Sequence, residues 1–199
     1  MEWLRIKRGI ISVTDKSRIV ELAKFLQEGG VEIISTGGTK KLLESSGIKV
    51  ISISDVTGFP EILDGRVKTL HPYIHGAILA DREKEEHIKT LQKFDIKPLD
   101  LVCVNLYNFK DALEKGLKGK ELIEQIDIGG PTLLRAAAKN FHNVAVLPSP
   151  SFYDDFINEL KNNDFKISLE FRKKTASYVF RLTSDYDQMI FKAFEKNLM

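Results

Sequence analysis

The sequence predicts an α/β protein: a mostly parallel, doubly wound sheet of five strands in three layers, followed by a helical C-terminal extension. Three observations lead there. Short apolar runs alternate with segments of helical periodicity between residues 9 and 147. The run Leu99–Val104 is almost wholly apolar, as expected of a strand buried on both faces of a parallel sheet. Beyond Ser151 the alternation stops, and two serine-capped helical segments follow.

Each element has its own signal. Gly9–Val13 reads as the first strand. Ser17–Glu28 reads as a helix, with Ile19, Leu22, Ala23 and Leu26 on one face and Gly29-Gly30 ending it. Val31–Ser35 and Lys49–Ile53 read as strands, separated by a short helix from Thr39 to Ser46 that stops at Gly47. Residues 54–72 form a long irregular stretch, which in a compact domain points to function or disorder. Ile74–Leu79 fits either a short strand or a helix end. Helices are expected over Glu83–Phe94, Lys120–Gln125 and Pro131–Asn140, the last with proline in its first turn, where a missing N–H costs nothing. Val144–Leu147 closes the sheet. Ser151 can cap a helix to Lys161, and Ser168 a longer one.

The 199 residues suffice for one domain, an α/β core over 1–150 with the extension over 151–199. With 30 Lys+Arg against 28 Asp+Glu, a net charge of +2 gives no general attraction for a polyanion, so no nucleic-acid partner is expected. No run approaches the roughly 18 apolar residues of a membrane span. The single cysteine, Cys103, excludes an internal disulfide and suits a reducing cytoplasm.

In a doubly wound sheet ligands lie beyond the carboxyl ends of the strands, and the polar candidates fall there. Ser12-Val13-Thr14-Asp15-Lys16 offers two hydroxyls and an ammonium beside a helix start, or simply a capping segment. Thr36-Gly37-Gly38-Thr39 lets a backbone approach an anion, or is a tight turn with a threonine cap. Arg66 and Lys68, two apart, would point to one side of an extended backbone, or form a solvated basic loop. Asp127 precedes a helix bearing Arg135 and Lys139 on one face; it either stabilises the helix dipole or moves protons. His71 and His75 are four apart, but no carboxylate or cysteine completes a metal set, and no metal is expected. Arg172-Lys173-Lys174 reads as a solvated helical face. Tyr178, Val179, Leu182 and Tyr186 read as an apolar stripe for the core or a partner subunit.

Seven blocks occur in a specific order. They are Ser12–Lys16, Thr36–Thr39, Thr57-Gly58-Phe59-Pro60-Glu61, Gly65–Pro72, Asn105-Leu106-Tyr107, Gln125–Gly130 and Leu133–Asn140. Together they resemble the IMP cyclohydrolase domain of the bifunctional family that also carries AICAR transformylase, over essentially the whole chain. The resemblance implies a methylglyoxal-synthase-like fold and a cofactor-free dehydrative closure of formyl-AICAR (FAICAR) to IMP. It implies that Lys68, with backbone N–H groups near Asp127, Ile128 and Gly129, stabilises an oxyanion, and that Asp127, Tyr107 and Lys139 relay protons. Ser12, Thr14, Lys16, Thr36, Gly37, Gly38 and Thr39 would hold the 5′-phosphate, Arg66 and Asn105 would orient the base and its carboxamide, and Thr69 would also contact the substrate. It further implies a homodimer. The chain reaches Met199 about where the family's transformylase region begins, so either a separate upstream enzyme formylates AICAR or this is a domain excised from a longer protein. One departure is Asn108, where the family often has proline.

Two other functions share the implied fold. Methylglyoxal synthase carries a His-Asp pair after the first strand and a later Gly-Gly-Asp, both missing here. A regulatory domain like that of carbamoyl-phosphate synthetase needs phosphate loops but not Lys68, Tyr107, Asp127 and Lys139 together.

Overall fold

The computed structural model describes residues 2–199. In chain order the strands are β1 (Trp3–Arg5), β2 (Arg8–Ser12), β3 (Glu32–Ser35), β4 (Ile51–Ser52), β5 (Leu101–Val104), β6 (Ala145–Leu147) and β7 (Lys166–Ser168). The helices are α1 (Ile19–Glu28), α2 (Gly37–Ser45), α3 (Ile53–Thr57), α4 (Pro72–Leu79), α5 (Glu85–Lys93), α6 (Phe109–Glu114), α7 (Gly119–Ile123), α8 (Gly129–Lys139), α9 (Tyr153–Asn162) and α10 (Leu169–Glu195).

Strands β2 to β6 form one parallel sheet in the order β4-β3-β2-β5-β6. The predicted five-stranded doubly wound sheet is therefore the observed one. Every residue of β5 and β6 is buried, because helices cover both faces. One face packs Ile11, Ile33, Leu101 and Cys103 against α1 and α9. The other packs Ile10, Ile34, Val102 and Val104 against α4, α8 and α10. Alternation along each strand thus feeds two cores.

Of the two readings open for Ile74–Leu79, the helical one is observed: residues 72–79 form α4, with His71 as N-cap accepting from the Tyr73 N–H at 3.2 Å and proline in the first turn. Two features differ from the sequence expectation. The third strand shrinks to two residues, and its expected end, Ile53, opens α3. A second sheet pairs β1 antiparallel with β7; runs of three residues are too short to carry a periodic signal.

The extension is part of the core. Ser168 caps α10 as expected, accepting from the Phe171 N–H at 3.2 Å. Val179 and Tyr186 are buried, so the apolar stripe packs inside this chain. The basic run does not form a uniformly solvated face: Arg172 has no exposed surface. Its guanidinium donates to the carbonyls of Ser168 (3.1 Å), Phe141 (2.9 Å), His142 and Glu2 (2.9 Å). It therefore ties the N-terminal strand and the turn after α8 to α10. Helical spacing locates a face but does not say that backbone carbonyls wait there to solvate a charge.

Replacing Arg172 with methionine keeps much of the volume but strands several part-buried carbonyls. We expect a loss of about 3 kcal/mol in urea unfolding; a change below about 0.5 kcal/mol, as for an ordinary surface substitution, would contradict this account.

Candidate active site

The winding of the sheet reverses between β2 and its neighbour β5. Loops leaving the carboxyl ends of these two strands run to opposite sides and leave a cleft. Asn105, directly after β5, bridges it. Its Oδ1 accepts from the N–H groups of Thr14 (2.7 Å) and Asp15 (2.9 Å), and its Nδ2 donates to the Asp15 carbonyl at 3.0 Å. The Lys16 ammonium then folds back onto the Val13 carbonyl and the Thr39 hydroxyl (3.1 Å). Burial pulls its pKa below the ordinary lysine value, opposed by the Asp15 charge.

Thr36 is the N-cap residue of α2, and Gly37 follows in a left-handed conformation, φ +54°. Only glycine adopts this readily, and a Cβ there would lie 3.8 Å from the Lys68 ammonium nitrogen. Lys68 comes from the irregular stretch, which is ordered by a small reversal. Ile62 and Val67 bridge each other across Leu63, Asp64 and Gly65, all with positive φ. Glu61, at the start of this reversal, accepts a hydrogen bond from the buried Thr36 hydroxyl. A carboxylate of the chain thus sits at the start of α2.

Asp127 closes the cleft from the other side. Its carboxylate accepts from the Gly130 N–H at 2.8 Å and, at 3.4 Å, from that of Tyr107. Its own N–H donates to the Tyr186 hydroxyl at 2.8 Å. A Cβ on Gly130 would overlap the Asp127 carboxylate, so the turn requires glycine. A Cβ on Gly129 would meet the Thr69 hydroxyl at 3.1 Å, which shows how closely the Lys68-Thr69 segment approaches α8. Burial raises the Asp127 pKa above its ordinary value, against the lowering effects of the Gly130 and Tyr107 N–H groups and of the Lys68 charge. Burial and the Asp127 charge raise that of Tyr107, which stays a neutral phenol.

Lys68, Thr69, Tyr107, Asp127 and Gly129 therefore come together, with Lys16, Gly37 and Gly38 on the neighbouring loops. Ser12 ends β2, Thr14 is exposed on the following loop, and Ile128 is exposed at the N-cap of α8. Several expected residues stand differently. Lys139 is exposed at the last position of α8. An eleven-residue helix spans about 15 Å, so within this chain Lys139 is remote from Asp127 and Tyr107, and its charge complements the helix dipole. Arg66 pairs with Glu124 at the surface. Asn105 and the Thr39 hydroxyl hydrogen-bond to the loop at 13–16. Two residues were missed: Glu61, present in a quoted block but given no role, and Tyr186, assigned to the apolar stripe. Buried Cys103 is no nucleophile, its thiol being pushed up to about 12 by burial.

The chain belongs to the MGS-like domain family, whose model matches residues 18–132. Residues 137–199 match the AICARFT/IMPCHase bienzyme model. Over 185 residues the chain is 56% identical to a bifunctional purine biosynthesis protein PurH of Clostridium botulinum, covering 93% of this chain and 37% of that protein. The PurH protein of Lactobacillus acidophilus is 55% identical over 186 residues, with 93% and 36% covered. The chain thus spans little more than a third of these curated relatives. A solved structure described as that of ForH superposes with a TM-score of 0.87 at 34% identity, covering 96% of this chain and 98% of the other.

A raised Asp127 pKa means that the native state holds this proton more tightly than the unfolded chain. Its favourable contribution is complete below the ordinary carboxylate value and is lost as pH rises through the folded value. Carbon-13 NMR of the carboxyl should show Asp127 titrating above 3.8, and higher still in Lys68→Ala, where a cation favouring the charged form is gone. A downward move in that variant would contradict the proximity of the two groups.

Proposed function

We propose that the chain is an IMP cyclohydrolase of purine biosynthesis, closing FAICAR to IMP without a cofactor. The observation that carries this is the convergence of Lys68, Tyr107, Asp127 and the start of α8 beside the Gly37-Gly38 loop. In the reaction the carboxamide nitrogen bonds to the formyl carbon. One proton leaves that nitrogen, one leaves the formamide nitrogen, and both depart with the formyl oxygen as water.

Two barriers need help. The amide nitrogen is a poor nucleophile, and the adduct develops negative charge on the former formyl oxygen. The Lys68 ammonium and the Gly129 N–H, which opens α8 and has no carbonyl within the helix to bond, meet that charge. Asp127, ionised above its raised pKa, takes the carboxamide proton, and the neutral Tyr107 phenol passes protons between nitrogen and oxygen. Both reacting groups sit on one imidazole ring, so alignment supplies much of the rest. Exposed Ile128 offers an apolar contact for the base. The Gly37-Gly38 N–H groups and Lys16 take the 5′-phosphate, with Ser12 and Thr14 at the rim.

A homodimer fits the same reading, supported by Phe180, Phe191 and Phe194, which α10 leaves about half exposed. FAICAR would come from a separate formylating protein or from a transformylase region of the kind the AICARFT/IMPCHase bienzyme model names.

Purified chain incubated with FAICAR should form IMP far faster than the enzyme-free control. Lys68→Ala should lower kcat by about 100-fold or more, as loss of an oxyanion donor does, with IMP affinity reduced much less. Equal losses of turnover and binding would remove the transition-state role. Glu61→Gln should tighten IMP several-fold in calorimetry, because the phosphate no longer displaces a carboxylate from Thr36. Weaker binding would instead make Glu61 a ligand contact.

A further inference from the structure

The MGS-like match ends at residue 132, and Tyr186 lies in the following bienzyme match. Yet the Tyr186 hydroxyl reaches the candidate active site. It accepts from the Asp127 N–H at 2.8 Å and donates to the Gln125 carbonyl at 3.3 Å, closing the turn that delivers Asp127. The ring is buried and meets Phe109, at the start of α6, edge-on with centroids 6.1 Å apart. Asp127 is therefore held at three points. Gly130 and Tyr107 fix its carboxylate, and Tyr186, 59 residues away in the chain, fixes its backbone.

We propose that Tyr186 is a positioning residue for ring closure, through which the C-terminal helix sets the Asp127 carboxylate and the first N–H groups of α8. This rests on the cyclohydrolase reading for its effect on rate, but not for the geometry. A packing role alone would need a ring here. The hydroxyl, satisfied by one donor and one acceptor of the same turn, does something a phenylalanine cannot. Without it the part-buried Asp127 N–H loses its partner, and the turn loosens towards water.

The test is Tyr186→Phe, which keeps the ring and the edge-on contact. We expect kcat to fall about tenfold, the effect of roughly 1.4 kcal/mol, with KM changed less than about twofold. The acid limb of the pH–rate profile should move to lower pH as water relieves the burial of Asp127. Phe109→Leu disturbs the same packing without the hydrogen bond; it should lower the melting temperature and leave the acid limb in place. Carbon-13 titration of Asp127 in native and Tyr186→Phe chains gives the same answer without turnover. If native chain fails to close FAICAR, the cyclohydrolase reading falls while a shifted titration still upholds the tie. An unmoved titration and unchanged kcat in a less stable Tyr186→Phe would overturn the proposal. Should that variant not fold, amide exchange at Asp127 in the native chain decides: slow exchange supports the bond, and exchange at the rate of an open loop refutes it.

Discussion

The reversal of winding between β2 and β5 is the constraint on which the rest depends. Parallel neighbours joined by helices on opposite faces leave their carboxyl-end loops diverging, so a gap opens over the sheet with unpaired backbone groups at its edges. Asn105 spans that gap with three hydrogen bonds to Thr14 and Asp15. At the opposite edge Asp100, also buried, accepts from the Lys7 and Arg8 N–H groups and from Arg82. The two strands at the reversal are thus pinned at both ends by the side chains that flank β5.

Around the cleft, opposite charges are kept close but not joined. Lys68 is near enough to Asp127 to favour its ionised form, while burial works against it. Glu61 lies on Thr36 beside the same lysine. A fully paired cluster would be electrostatically quiet. This arrangement instead leaves a cation, a carboxylate with a raised pKa and a phenol beside one another, the condition under which proton transfer and charge stabilisation become available.

Much of this was legible in the chain. Strand positions followed from apolar runs because burial on both faces of a parallel sheet demands them. The residues just after the strands had to border any ligand, which located Lys16, Gly37, Asn105 and Tyr107. Their partners were not legible. Lys139 belongs to a block typical of the family, yet α8 carries it to the far end from Asp127, since one helix cannot present its two ends to one point. Arg172 read as solvated because its neighbours Lys173 and Lys174 are charged, whereas it turns inward onto four carbonyls from three separated stretches of chain.

Sequence by itself determined the alternation of elements, the doubly wound sheet and the loops at which chemistry is sited, because hydrophobic period and glycine placement act over a few residues. Tertiary structure alone decided which polar groups meet: Thr36 with Glu61, Lys68 with the turn at Asp127, Tyr186 with the Asp127 N–H. Hydrogen-bond partners are chosen by proximity in space, and here the deciding one lies 59 residues along the chain. No local pattern encodes such a separation; packing of α10 against α6 and α8 brings it about.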